Sequence, residues 1–184
     1  NLGHRDGLDG IRRAFAPFAG IPGVFVHGSN DVTAPTPRNP LKYFAGPSKK
    51  HSNKQLLDTA GLDRYLTDDL GWHDLNNAAA RIQVGTRTID TFGVNDAHRN
   101  WDDLDALPDA IAGLGERDAA TPLVGVTHAP YQRVLNTFSY LGADAIFGGH
   151  THGGQVCVPF YGAVVANCDI PMKQAMGLST WSYG

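Results

Sequence analysis

Three histidines stand out by where they fall. His128 closes the apolar run Leu123-Val124-Gly125-Val126-Thr127 and is followed by Ala129-Pro130. His150 and His152 come after Ala145-Ile146-Phe147 through Gly148-Gly149, with Gly153-Gly154 directly behind them. A neutral imidazole offers a lone pair to a divalent transition metal. A His-x-His pair between glycines allows close backbone approach and lets two rings reach adjacent metal positions. A fourth residue, Asn30, sits in the turn-forming cluster Gly28-Ser29-Asn30-Asp31, just past Gly23-Val24-Phe25-Val26-His27. The remaining histidines carry less. His27, His51, His73 and His98 lie beside polar or loop residues without a spacing pattern and read as structural or surface groups. His4 receives no assignment.

Each of the chosen positions follows a short apolar run with β-branched members, the pattern of a buried strand. In open α/β sheets the loops beyond the carboxyl ends of strands form the functional edge. Three such loops would deliver Asn30, His128 and the His150/His152 pair to one edge. Around them, Leu8, Ile11, Phe15 and Phe18 fall at helical spacing, and Pro22-Gly23 closes that helix. A helix is expected near Gln55–Leu70. Ala80–Val84 and Arg87–Gly93 read as paired strands turning at Gly85-Thr86. Asp102–Leu114 reads as a helix with acidic residues crowded into its first turn, where they suit the dipole. Pro122–Thr127 is a strand, Tyr131–Leu141 a helix and Ala145–Phe147 a third short buried strand. Val156–Val158 and Ala163–Ala166 form a final hairpin. Strands alternating with helices define an α/β class with hairpin excursions.

Composition narrows the field. With 184 residues, 42% of them hydrophobic, the chain fits a single domain with a substantial core. The 22 Gly and 11 Pro indicate many turns without reaching a disordered composition. No apolar stretch approaches the roughly 20 residues needed to cross a bilayer. Cys157 and Cys168 are too few for a disulfide scaffold and fit a reducing compartment, so a cytoplasmic location is expected. The formal charge of −3 argues against a stable nucleic-acid partner. One segment departs from this balance. Between Val32 and Leu57 there is no acidic residue, while Arg38, Lys42, Lys49, Lys50 and Lys54 are basic and four prolines interrupt the stretch. A basic loop over 38–54 suits either the steering of an anionic substrate or peripheral contact with an anionic membrane surface. As a solvated surface loop it would do neither. Trp72, Trp101 and Trp181 read as core or rim packing.

Gly149-His150-Thr151-His152-Gly153-Gly154-Gln155 resembles the closing motif of the calcineurin-like metallophosphoesterases, in the bacterial form Gly-His-Thr-His-Gly-Gly-Gln. Val126-Thr127-His128-Ala129-Pro130 resembles that family's isolated metal-binding histidine, and Val26-His27-Gly28-Ser29-Asn30-Asp31 its Gly-Asn-His-Asp/Glu motif. The resemblance runs from about Gly23 to Asp169. It implies an α/β fold, a β-sandwich flanked by helices, and hydrolysis of phosphomonoesters or phosphodiesters. It also implies two divalent metals, drawn from Mn, Fe and Zn. His128 and His150 would bind one metal and His152 the other. Two metals roughly 3.5–4 Å apart would polarise phosphoryl oxygens and supply a bridging hydroxide for in-line attack. The implied substrate is a phosphorylated small molecule or lipid.

Two departures matter. Aligned without a gap, Ser29 falls where the family has a metal-binding Asn, and Asn30 where it has the acid His. An amide has no titratable proton, so acid catalysis would then be lost or supplied elsewhere, for example by His27. Shifted by one residue, Asn30 itself reaches the metal. Asn30 is taken as the metal-site residue, and Asn30 with His128 as the catalytic pair. The second departure is that the family's opening Asp-x-His and Gly-Asp motifs are not found ahead of the Gly23 strand, where the family has them. A single domain over 1–184 that lacks its first strands and part of its ligands is therefore expected. Such a piece would be inactive by itself, and any membrane association would come through a missing segment. A degenerate metal- or anion-binding module without catalysis is the alternative.

Overall fold

A computed structural model of the chain describes residues 2–35, 55–154, 156–158 and 162–183. The basic loop over 38–54, His51 and Gln155 of the closing motif lie outside the described residues.

The sequence alternation produces an α/β fold built on a mixed sheet with flanking helices. Four strands form that sheet in the order β3 (Ala78–Val84), β4 (Arg87–Val94), β5 (Leu123–Thr127), β6 (Ala145–Gly148). β3 and β4 are an antiparallel hairpin, whereas β4, β5 and β6 run parallel. One helix, α5 (Gln132–Tyr140), makes the crossover from β5 to β6. Its Val134 and Phe138 join Phe92, Val94, Leu107, Leu123 and Ala129 in the larger buried cluster. The smaller cluster gathers Leu2, Phe25, Leu62, Tyr65, Leu66 and Leu70. Against it lies the apolar stripe Leu8, Ile11 and Phe15 of α1 (Gly7–Phe15), the helical spacing noted in the sequence. Trp72 packs beside it, its ring centroid 5.5 Å from that of Phe15, as a rim residue.

Several expectations need correction. The strand over Gly23–His27 shortens to β1 (Val24–Phe25), which pairs in parallel with the unanticipated β2 (His73–Asp74). The turn after it is a one-turn helix, α2 (Ser29–Val32). Its start is held because the Asp31 carboxylate accepts the Gly28 N–H at 2.9 Å, an acidic residue closing the first turn. Over 55–70 the helix begins only at Thr59, where Asp58 caps Gly61, and after α3 (Thr59–Arg64) it widens into a π turn over Tyr65–Asp69. The helix expected from Asp102 is α4 (Leu107–Ala112). Pro108 favours a start there, Asp103 accepts the N–H of Ala106 just ahead of it at 3.2 Å, and Asp102 pairs instead with Arg133 at 2.8 Å. β6 is not a buried strand. It is the outer strand of the sheet, with Ala145 and Phe147 exposed and only Ile146 half-buried. The hairpin is present as β7 (Val156–Val158) and β8 (Gly162–Val165), antiparallel. Among the described residues no helix is long and apolar enough to cross a membrane.

Candidate functional site

Strand register assembles the site. β4 and β5 pair Val94 with Thr127, and β5 and β6 pair Thr127 with Gly148. Three parallel strands therefore end level. The residues following them, Asn95–His98, His128 and Gly149–His150, leave the sheet side by side. The His128 carbonyl accepts the Gly149 N–H at 3.0 Å and locks the second loop to the third. His150 then takes a left-handed backbone, φ 63°, which turns the chain sharply at the strand end.

The result is a close imidazole pair. His150 Nδ1 lies 3.2 Å from His128 Nε2. The His98 ring lies against that of His150, tilted by 40° with centroids 4.5 Å apart, and its Nδ1 is 2.8 Å from the Tyr131 hydroxyl. The Asn167 amide nitrogen is 3.3 Å from His150 Nε2. Against the pair comes the turn at Gly28. A Cβ at that position would lie 2.4 Å from His128 Cε1, so only glycine lets the backbone sit on this ring. Asp96 is completely buried and joins the parts: it accepts the Ser29 N–H at 2.7 Å and the His98 N–H at 2.9 Å.

Charge follows from this crowding. Burial is the main reason that the His150 pKa falls to about 4, with repulsion from His98 and His128 adding to it and Asp96 opposing it. His128 shifts the same way, chiefly through burial, against the pull of Asp96 and Asp31. Both rings are thereby held neutral at physiological pH, the state in which a histidine can ligate a metal. Burial also pushes the Cys168 thiol up to about 12, with Asp169 and Asp96 contributing, so it stays a thiol at neutral pH.

Of the four residues singled out in the sequence, the structure joins His128 and His150. Asn30 is half-buried on α2 and its carbonyl accepts the Gly3 N–H at 2.9 Å. Its side chain makes no hydrogen bond among the described residues. The member of that turn tied to the histidines is Ser29, through Asp96. His152 is exposed, with φ 52°. His27 is buried between carboxylates, Nε2 at 2.6 Å from Asp63 and Nδ1 at 4.0 Å from Asp31, which agrees with a structural role. His98 does not: it belongs to the imidazole cluster. Asp96 and His98 have the Asp-x-His spacing, but they lie far along the chain from the start, where the family's opening motif is expected. Their signal was position, immediately past the carboxyl end of a predicted strand, the criterion that had selected His128.

Two imidazole nitrogens on one tetrahedral zinc, each at about 2.0–2.1 Å, stand about 3.3 Å apart. The His128–His150 separation matches, so the pair fits two ligand positions of one cation. The described residues do not fit two cations. No group of three or more His, Cys, Asp or Glu side chains among them is arranged to hold a metal ion. Comparison of the chain with protein-family models, with curated proteins and with solved structures finds no match.

Proposed function

We propose that this chain carries the histidine side of a metal-dependent phosphoesterase centre within a metallophosphoesterase-like sandwich. The observation that supports it best is the convergence of His128 Nε2 and His150 Nδ1 at 3.2 Å, at level strand ends and beside the Gly28 turn. In this reading His128 Nε2 and His150 Nδ1 are directed at one point, the rings kept neutral by burial and fixed by the packing of His98 and Gly28. The chemistry that a divalent cation supplies at such a point is polarisation of a phosphoryl oxygen. Asn30 offers a neutral amide to the phosphoryl group or to the cation, and His152 belongs to the part of the shell nearer solvent. The substrate class is a phosphorylated small molecule or lipid, and the metal is Mn, Fe or Zn.

The test uses the whole translation product of the gene encoding this chain, supplied with Mn2+ or Zn2+ and assayed on aryl phosphate mono- and diesters. Turnover that disappears in both His128→Ala and His150→Ala supports the reading. Turnover unchanged in either variant overturns it.

A second reading, a binding module without catalysis, draws on Asn30 standing where an acid is needed and on the two-ligand limit of the described cluster. It requires one bound cation or none and no hydrolysis of either ester.

A further inference from the structure

A neutral imidazole has one N–H and one lone pair, and the partner of one nitrogen decides the state of the other. His150 uses both: Nε2 meets the Asn167 amide nitrogen at 3.3 Å and Nδ1 meets His128 Nε2 at 3.2 Å. An amide nitrogen can only donate. With Asn167 donating to Nε2, the His150 proton lies on Nδ1 and is donated to His128 Nε2, and the point between the two rings is filled by that hydrogen. Turned over, the amide presents its oxygen and accepts an Nε2–H. Nδ1 then carries a lone pair aimed where the lone pair of His128 Nε2 is aimed.

We propose that the Asn167 amide is a two-position latch that sets which nitrogen of His150 carries the proton, and so whether the His128–His150 pair is closed on itself or open to a cation. Asn167 is thus a positioning residue, acting through His150. Its surroundings suit the task. The backbone is left-handed, φ 54°, a conformation that asparagine tolerates better than most residues, which places it directly after β8 against the imidazole cluster. Its carbonyl lies 3.4 Å from the Tyr131 hydroxyl that also meets His98. The backbone is therefore anchored to the same network, while a half-turn of the terminal amide exchanges donor for acceptor with no movement of the chain. The consequence for cations rests on the metal-centre reading given above; the tautomer does not.

The experiment reads the ring nitrogens of His150 by 1H–15N NMR in the 184-residue chain, at alkaline pH where ordinary histidines are neutral, with and without Zn2+. Two variants accept the left-handed backbone: Asn167→Asp, whose side chain can only accept, and Asn167→Gly, which has no amide. The expected result is Nδ1–H in the metal-free wild type and Nε2–H in Asn167→Asp whether or not Zn2+ is present. In Asn167→Gly the proton is no longer confined to Nδ1, and Zn2+ binds about 10-fold more weakly or worse than in Asn167→Asp. The same His150 tautomer in all three metal-free proteins overturns the latch. A tautomer shift without Zn2+ binding by any of them upholds the latch and counts against the metal centre instead.

Discussion

The carboxylate of Asp96 accepts the backbone N–H of Ser29, 67 residues away in sequence, at 2.7 Å. With the His98 N–H on its other oxygen, it ties the turn at 28–31 to the loop that carries His98. Asp96→Ala would leave two N–H groups without an acceptor in the interior. A lost hydrogen bond to a charged group together with a stranded buried donor costs about 3 kcal/mol. Urea unfolding is the check, and a loss below about 0.5 kcal/mol would show that water replaces the carboxylate.

Gly28→Ala is expected to force the His128 ring off His150. The backbone there, φ −106° and ψ 164°, is open to any residue, so the whole effect comes from the Cβ pressed at 2.4 Å against Cε1. Overpacking of this kind costs about 1–3 kcal/mol, and the ring contact between His128 and His150 should vanish from NOE spectra. Gly10→Ala is the contrast. It lies within α1 with nothing inside 4 Å of the added carbon, and should stabilise by about 0.5–1 kcal/mol.

Acid should weaken the fold before the carboxylates titrate. The folded pKa of His150, about 4, lies below the value of about 6.5 for an unfolded histidine. Protons therefore bind the unfolded chain more readily. The contribution is complete above about pH 6.5 and is lost as pH falls from there towards about 4. His128 adds in the same direction. Denaturant midpoints measured down to about pH 5, above the ordinary carboxylate range, should fall steadily, and His150→Gln should flatten that slope.

The helix that spans β5 and β6 depends on one glycine. Phe138 is fully buried with its ring centroid 4.6 Å from that of Phe92, and a Cβ on Gly125 would lie 2.4 Å from its ring. Phe138→Ala should cost about 3–5 kcal/mol through the cavity that it leaves. Gly125→Ala should cost about 1–3 kcal/mol through overpacking, and pairing it with Phe138→Leu should recover part of that loss. Thermal unfolding of the three variants decides; additive losses would rule out the contact.

Local patterns carried most of the element order, because apolar periodicity and glycine punctuation act over a few residues. They missed what depends on distant partners. β1 is only two residues long because its partner is the short β2, and no local feature of 23–27 reports on His73-Asp74. Asp102, the expected start of a helix, is bound instead to Arg133, 31 residues further on. In the site, His128 and His150 were legible because each ends an apolar run at a glycine or proline boundary. Asp96 and His98 are spaced as Asp-x-His, but their place in the site exists only once β4 and β5 align Val94 with Thr127. Asn167 was hidden for the same reason: its amide meets His150 across a hairpin.

The left-handed backbone at His152 has a consequence for how this loop would drift. A side chain with a Cβ in that region costs about 1–2 kcal/mol relative to glycine, and the exposed ring of His152 recovers none of it through a hydrogen bond among the described residues. A library randomised at 152 and selected only for heat resistance should therefore converge on Gly or Asn. A population that keeps histidine there is being held by something other than folding. Sequencing such a library before and after selection would separate the two pressures at a single codon.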